Sequence, residues 1–267
     1  MGKMDRALRE LGQMDELAAG DSPVHRLSPW VKLLVTLGYI IAVVSFDKYA
    51  LSGLLPLILY PLLVSQLSGV SLLTGLRKLR LVLPLVLAVG IFNPFLDRVP
   101  LLYLGSLPVS GGVVSMLTLL LKGLLSLLAS FLLVATTPID SLCAGLRKLR
   151  VPQTLVTLLL LTYRYVGVMM EELAVMSRAY HLRAPGQKGI HYKAWGSFLG
   201  QLLLRSMDRA GELYASMRLR GFHGEFYYAP SRPCGGRDLA WLLLWLGAFA
   251  LLRLFDLGAL LGGLLHL

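Results

Sequence analysis

Charge is scarce in this chain of 267 residues: 15% of positions are Asp, Glu, Lys or Arg, with 15 acids against 26 bases. A soluble domain carries about 25% charged residues and about 45–50% apolar ones. Here 56% are hydrophobic, and the mean hydropathy is +0.68. A single water-soluble core cannot absorb that excess, because such cores stop growing near this chain length. The surplus faces lipid, which excludes a cytosolic enzyme, a secreted disulfide scaffold and a disordered protein. The formal charge of +11 reads as topology charge on the cytoplasmic side, not as a nucleic-acid patch. Cysteine is equally sparse. Cys143 and Cys234 stand 91 positions apart with no CxxC spacing, so both read as reduced thiols. The five histidines never fall at i,i+4, which leaves a zinc site without support. Walker A GxxxxGK[ST], HExxH and GxSxG are all missing, and no apolar run holds a carboxylate relay. The chain is expected to hold no metal or cofactor and to be no enzyme itself.

Apolar runs set the organisation. Residues 1–27 carry nine charges from Lys3 to Arg26 and no apolar run of signal-peptide length; they read as a cytoplasmic arm, with Leu8, Leu11 and Leu17 marking a short surface helix. Residues 28–137 hold four spanning candidates: Trp30 to Phe46, Tyr49 to Leu67, Leu81 to Leu96, and about Ser115 to Thr137. Pro56 and Pro61 interrupt the second, which is tolerated where neighbouring helices satisfy the freed carbonyls. A Gly/Pro/Ser loop (Gly105 to Gly112) precedes the fourth. Lys122 lies in the outer third of that span, where it either snorkels to the interface or serves as a pore or counter-ion group. The hexapeptide Gly-Leu-Arg-Lys-Leu-Arg occurs at 75–80 and again at 145–150. Both returns carry three positive charges, while Asp47/Lys48 and Asp97/Arg98 sum to zero. The positive-inside rule therefore places the N-terminus and both basic turns in the cytoplasm.

Residues 153–170 are apolar enough for a further crossing. It would put nine cations between Arg178 and Arg232 outside and set Arg164 in the bilayer, at about 2.5–3.5 kcal/mol on insertion scales. The spacing predicts instead a long helix over 153–183 that stays on the cytoplasmic side, with Val166, Met169, Leu173, Met176 and Tyr180 on one line. A second helix is expected over about 194–220, with Trp195, Leu199, Leu202, Ser206, Leu213 and Met217 on one stripe. Ala184-Pro185-Gly186 separates the two. Gly196 and Gly200 form a small-xxx-small pair that would permit close helix crossing. Five of the nine methionines fall in these helices, suited either to a surface that repacks against a moving partner or to ordinary core filling. Residues 138–236 thus form a cytoplasmic domain, and 237–267 supply a fifth span, with 254–267 either completing it or lying along the outer surface.

Both long helices end alike, with Leu182-Arg183-Ala184 and Leu219-Arg220-Gly221. The arginines are 37 residues apart, in register with Glu171 and Asp208. A cation at a helix C-terminus is favoured by the macrodipole alone. Two in matching context also offer two guanidinium forks to a two-fold partner such as a pair of ATPase subunits.

These residues resemble a known family, the transmembrane T component of energy-coupling factor (ECF) transporters, most closely its cobalt-type CbiQ branch. The likeness is carried by Val24 to Pro29 with Lys32, by Gly90 to Phe95, by Thr162 to Tyr165 with Glu171-Glu172, and by the two arginine motifs. It covers roughly residues 15–230. The resemblance implies an all-α integral membrane protein of about five transmembrane helices plus a cytoplasmic coupling domain of long amphipathic helices. It also implies residence in a prokaryotic cell membrane, and two cytoplasmic ATPase subunits docking on Leu182, Arg183, Ala184, Leu219, Arg220 and Gly221. A separate membrane substrate-binding (S) subunit would hold the cobalt ion. The family often has Ala-Arg-Gly at both motifs, and Ala184 stands in place of the first glycine. A self-contained secondary transporter with Lys122 and Arg164 along its path, or a scaffold without transport, is the alternative.

Overall fold

The computed structural model describes residues 12–80, 83–92, 100–104, 107–187, 189–224 and 235–254. It is helical, with one short hairpin. The first spanning helix, α1 (Pro29–Ser45), begins with proline at N1, where the missing N–H costs nothing. α2 runs over Leu51–Ser68 and is broken internally by a 3-10 turn at Pro56–Ile58. Pro61 cannot donate to the Leu57 carbonyl four residues back, and the Tyr39 hydroxyl of α1 donates to that oxygen instead, at 3.0 Å. The carbonyl freed by a proline is thus satisfied from a neighbour, as the sequence requires. Two short helices follow, α3 (Leu72–Leu79) and α4 (Leu83–Gly90). Asn93, Pro94, Asp97 and Arg98, at the expected end of the third span, lie outside the described residues.

Where the sequence reads as a loop before the fourth span, the chain forms an antiparallel hairpin, β1 (Pro100–Leu104) and β2 (Leu107–Ser110), with Leu104 opposite Leu107. α5 (Gly111–Thr136) starts directly after it. α6 (Ile139–Lys148) is short and two-sided, and α7 (Gln153–Arg183) and α8 (Trp195–Leu219) are the two long helices at the expected limits. α9 (Gly236–Leu254) ends the described chain. Three stretches among the described residues are long and apolar enough to cross a bilayer: Leu51–Ser68, Gly111–Thr136 and Gln153–Arg183, with Pro29–Ser45 a shorter apolar helix.

Contacts divide the chain into two units, residues 15–145 with 231–267, and residues 1–14 with 146–230. In the first, α1 is central. Its start meets the start of α9 through Ser28 and Asp238, and its end meets the end of α9 through Ser45 and Arg253. α1 and α9 are therefore parallel. They approach so closely that a Cβ on Gly38 would stand 2.6 Å from Leu246 Cδ2. Tyr39, Tyr60, Trp245 and Phe249 stack between α1, α2 and α9, with ring centroids 4.5–5.6 Å apart. α5 runs antiparallel to α1. Lys32 near the start of α1 donates to the Thr136 carbonyl at the end of α5, and Lys122 of α5 donates to the Val44 and Phe46 carbonyls at the end of α1. Each lysine meets the negative end of the other helix, as the macrodipole favours. Lys122 is thus hydrogen-bonded to helix-end carbonyls.

The second unit is more exposed. Val156, Thr157 and Leu160 on α7 are buried, and so is Phe198 on α8. Of the expected stripe on α8, Leu202, Ser206, Leu213 and Met217 are half-buried, while in its first turn Trp195 and Leu199 are exposed and Phe198 is buried instead. Among the described residues nothing lies within 4 Å of a Cβ placed on Gly196 or Gly200.

Candidate coupling site

The two arginine motifs sit at helix ends that stop for different local reasons. α8 closes in a Schellman turn. The Gly221 N–H donates to the Arg218 carbonyl at 3.0 Å and the Phe222 N–H to the Met217 carbonyl at 3.0 Å. The turn needs a left-handed residue at Gly221, whose φ is +81. α7 has no such closure. Pro185 cannot continue the helix, and Ala184 lies at φ −128, within reach of any residue. The left-handed position comes two residues later, at Gly186 with φ +92. Alanine therefore stands without strain where the resemblance leads one to expect glycine. The Tyr180 hydroxyl then fastens the turn, donating to Gln187 Oε1 at 2.9 Å and accepting from the His191 N–H at 3.2 Å.

Both ends present their arginine to solvent. Leu182 is 84% exposed and Leu219 90%, and Arg183, Arg220 and Gly221 are exposed with them, while Ala184 is half-buried. An exposed leucine beside an exposed guanidinium gives each tip a small apolar body and a directional donor, the composition of an interface core residue beside an arginine. Between the tips and the start of α7, an ion pair joins the two helices from Arg205 to Glu172, while Glu171 is exposed. Asp208, Arg209 and Glu212 line the cleft beside it with Met169. Arg164 is exposed on α7. No group of three or more metal-ligating side chains occurs among the described residues.

A second polar centre, which sequence reading missed, lies in the bundle unit. The Asp238 carboxylate accepts from the Ser28 N–H at 3.1 Å, the Ser28 hydroxyl at 2.7 Å and the Gly235 N–H at 3.1 Å. Lys32 Nζ donates to the Thr136 carbonyl at 2.8 Å and to Thr137 Oγ1 and the His25 carbonyl at 3.3 Å, with the Asp238 charge acting on it. Lys32 is 6% exposed and Asp238 8%. Only the presence of a lysine inside an apolar run and an acid at the head of another could have signalled the pair, since 206 positions separate them.

Residues 20–228 match the family CbiQ, cobalt transport protein. The cobalt transport protein CbiQ of Rhodobacter capsulatus is 34% identical over 117 residues, 43% of this chain and 48% of that protein. The nickel permease LarQ of Lactiplantibacillus plantarum is 34% identical over 103 residues, 39% of this chain and 38% of its own. The chain thus matches less than half the length of either. The energy-coupling factor transporter transmembrane protein EcfT of Lactococcus lactis is 28% identical over 226 residues, 79% of this chain and 84% of that protein. With the family match covering most of its length and its apolar helices arranged around α1, the chain belongs to the CbiQ family of cobalt transport proteins, among relatives that include ECF transporter transmembrane proteins.

Proposed function

We propose that this chain is the non-catalytic transmembrane coupling subunit of an ATP-driven ECF-type metal-ion importer. Two cytoplasmic ATPase subunits hold Arg183 and Arg220, and α7 and α8 pass their motion to a membrane S subunit that carries the ion. The observation that carries this reading is the pair of terminated helix tips, each with an exposed leucine and arginine side by side. Cobalt is the cargo the family name favours, and the relative named a nickel permease makes nickel the competing ion.

The reading needs residues 138–235 on the cytoplasmic side, and the bundle geometry supports it. Thr136 at the end of α5 and Asp238 at the start of α9 both meet the start of α1, so this stretch leaves and returns at one end of the bundle. It crosses an even number of times. If α7 crossed, α8 would have to cross back while carrying Arg205, Asp208, Arg209, Glu212 and Arg218, at several times the insertion cost of one central charge. No crossing is the lower-energy solution. A self-contained carrier has less support, because Lys122 is engaged with the end of α1.

Replacing Arg183 and Arg220 together by alanine is expected to abolish co-purification with the ATPases, or to leave ATP hydrolysis running without metal uptake in proteoliposomes. Full uptake in the double variant would remove the proposal, as would uptake by the purified chain alone.

A further inference from the structure

The repeated hexapeptide builds the same device twice. Both copies lie at the C-terminal end of a short two-sided helix, α3 after α2 and α6 after α5. In each, the glycine is buried where the helix presses on a spanning helix. A Cβ on Gly75 would stand 2.9 Å from Phe131 Cδ1 of α5, and one on Gly145 would stand 3.1 Å from Leu33 Cδ1 and from the Trp30 backbone nitrogen of α1. Trp30 is the second residue of α1 and Phe131 lies within two turns of the end of α5, so both glycines dock at the end of the bundle where Lys32 meets Thr136. Away from the glycines the cations turn outward. Leu73, Arg77 and Arg80 are exposed at i, i+4 and i+7 of one helical stripe, and Lys148 and Arg150 are exposed at the end of α6. Among the described residues no carboxylate pairs with these four cations.

Cations that stand at the end of a spanning bundle, with an exposed leucine beside those of α3, face the headgroup layer. We infer that α3 and α6 are each a docking surface for the phosphate of an anionic phospholipid of the adjoining leaflet. The glycine lays the helix flat on the bundle, the arginine forks and lysine take the phosphate oxygens, and Leu73 enters the acyl boundary. Charge complementarity names the occupant at both helices, and at α3 the exposed Leu73, which adds nothing to the binding of a dissolved anion, favours lipid over free phosphate. The inference rests on the bilayer placement of α1 and α5 and is independent of the arginine-tipped helices.

The test uses the purified full-length chain in phosphatidylcholine nanodiscs, with spin-labelled phosphatidylglycerol or phosphatidylcholine read by electron paramagnetic resonance. The chain should hold the anionic probe over the neutral one by about threefold or more, a preference that shrinks as salt rises. R77Q/R80Q and K148Q/R150Q should each lower it, the fourfold variant should remove it, and R77K/R80K/R150K should retain it. An unchanged preference in the fourfold variant, or displacement of the lipid by millimolar inorganic phosphate, would overturn the inference. Should the glutamine variants fail to fold, the salt titration of the unmodified chain decides: a preference that survives high salt overturns it as well.

Discussion

The buried pair of Lys32 and Asp238 makes a measurable demand on stability. Replacing Lys32 by methionine keeps the length of the side chain and removes its charge. The Thr136 carbonyl, the Thr137 hydroxyl and the His25 carbonyl lose their donor, and Asp238 keeps Ser28 and Gly235 but loses the attraction of the ammonium. Leaving such acceptors without a partner costs about 1–3 kcal/mol each, about 3–5 kcal/mol in all. At about 2–4 °C per kcal/mol for a chain of this size, the thermal midpoint should fall by about 6–20 °C. Asp238→Asn should cost a similar amount. The double variant K32M/D238N should cost less than the sum by at least about 1 kcal/mol, because no unbalanced charge is left behind. Thiol-free variants in detergent, followed by tryptophan fluorescence on heating, give the three midpoints. If K32M melts with the unmodified protein, or if the two substitutions add, the two residues are not partners and the reasoning fails.

Two further outcomes follow from local geometry. At φ +81, Gly221→Val should strain the Schellman turn by about 1–2 kcal/mol or more and speed amide exchange over 216–222 by about 5–30-fold, whereas Ala184→Gly at φ −128 should leave exchange at its own turn within about twofold. Equal effects at the two positions would refute the distinction between the two helix ends. Cys143 is fully buried on α6, and burial, with Asp140 adding to it, raises its thiol above the usual range. Because the neutral form is favoured, a Cys234→Ser variant should react with maleimide far more slowly than a free cysteine until it is unfolded, and its rate should rise only at a higher pH than a free thiol requires. Fast labelling of the folded chain at neutral pH would contradict that burial.

The long helices were legible because their signals are local. The apolar spacing from Val166 to Tyr180, Pro185 after Arg183 and Gly221 after Arg220 mark α7 and α8 to within a residue or two. Where a neighbour decides, the sequence is silent. Phe198, not Trp195, is buried in the first turn of α8. Gly196 and Gly200 carry the spacing of a tight contact, yet open space surrounds them among the described residues, while Gly38 and Gly75, in no Gly-xxx-Gly pair, make tight ones. The hairpin at 100–110 reads as a loop because two short strands separated by two residues leave little periodicity. The likeness picked out Lys32 without a role, and Asp238, its partner, falls beyond the stretch that the likeness covers.

The parallel pairing of α1 and α9 has a consequence for biosynthesis. Ser28 emerges from the ribosome 210 residues before Asp238, an interval of about 10–40 s at about 5–20 residues per second. Throughout that time the opening helix must sit in or beside the insertion machinery with an uncompensated ammonium and an open aromatic flank. An insertase that shelters it would shorten the wait's toll on yield, and a chain cut before α9 would leave it permanently exposed to quality-control proteolysis.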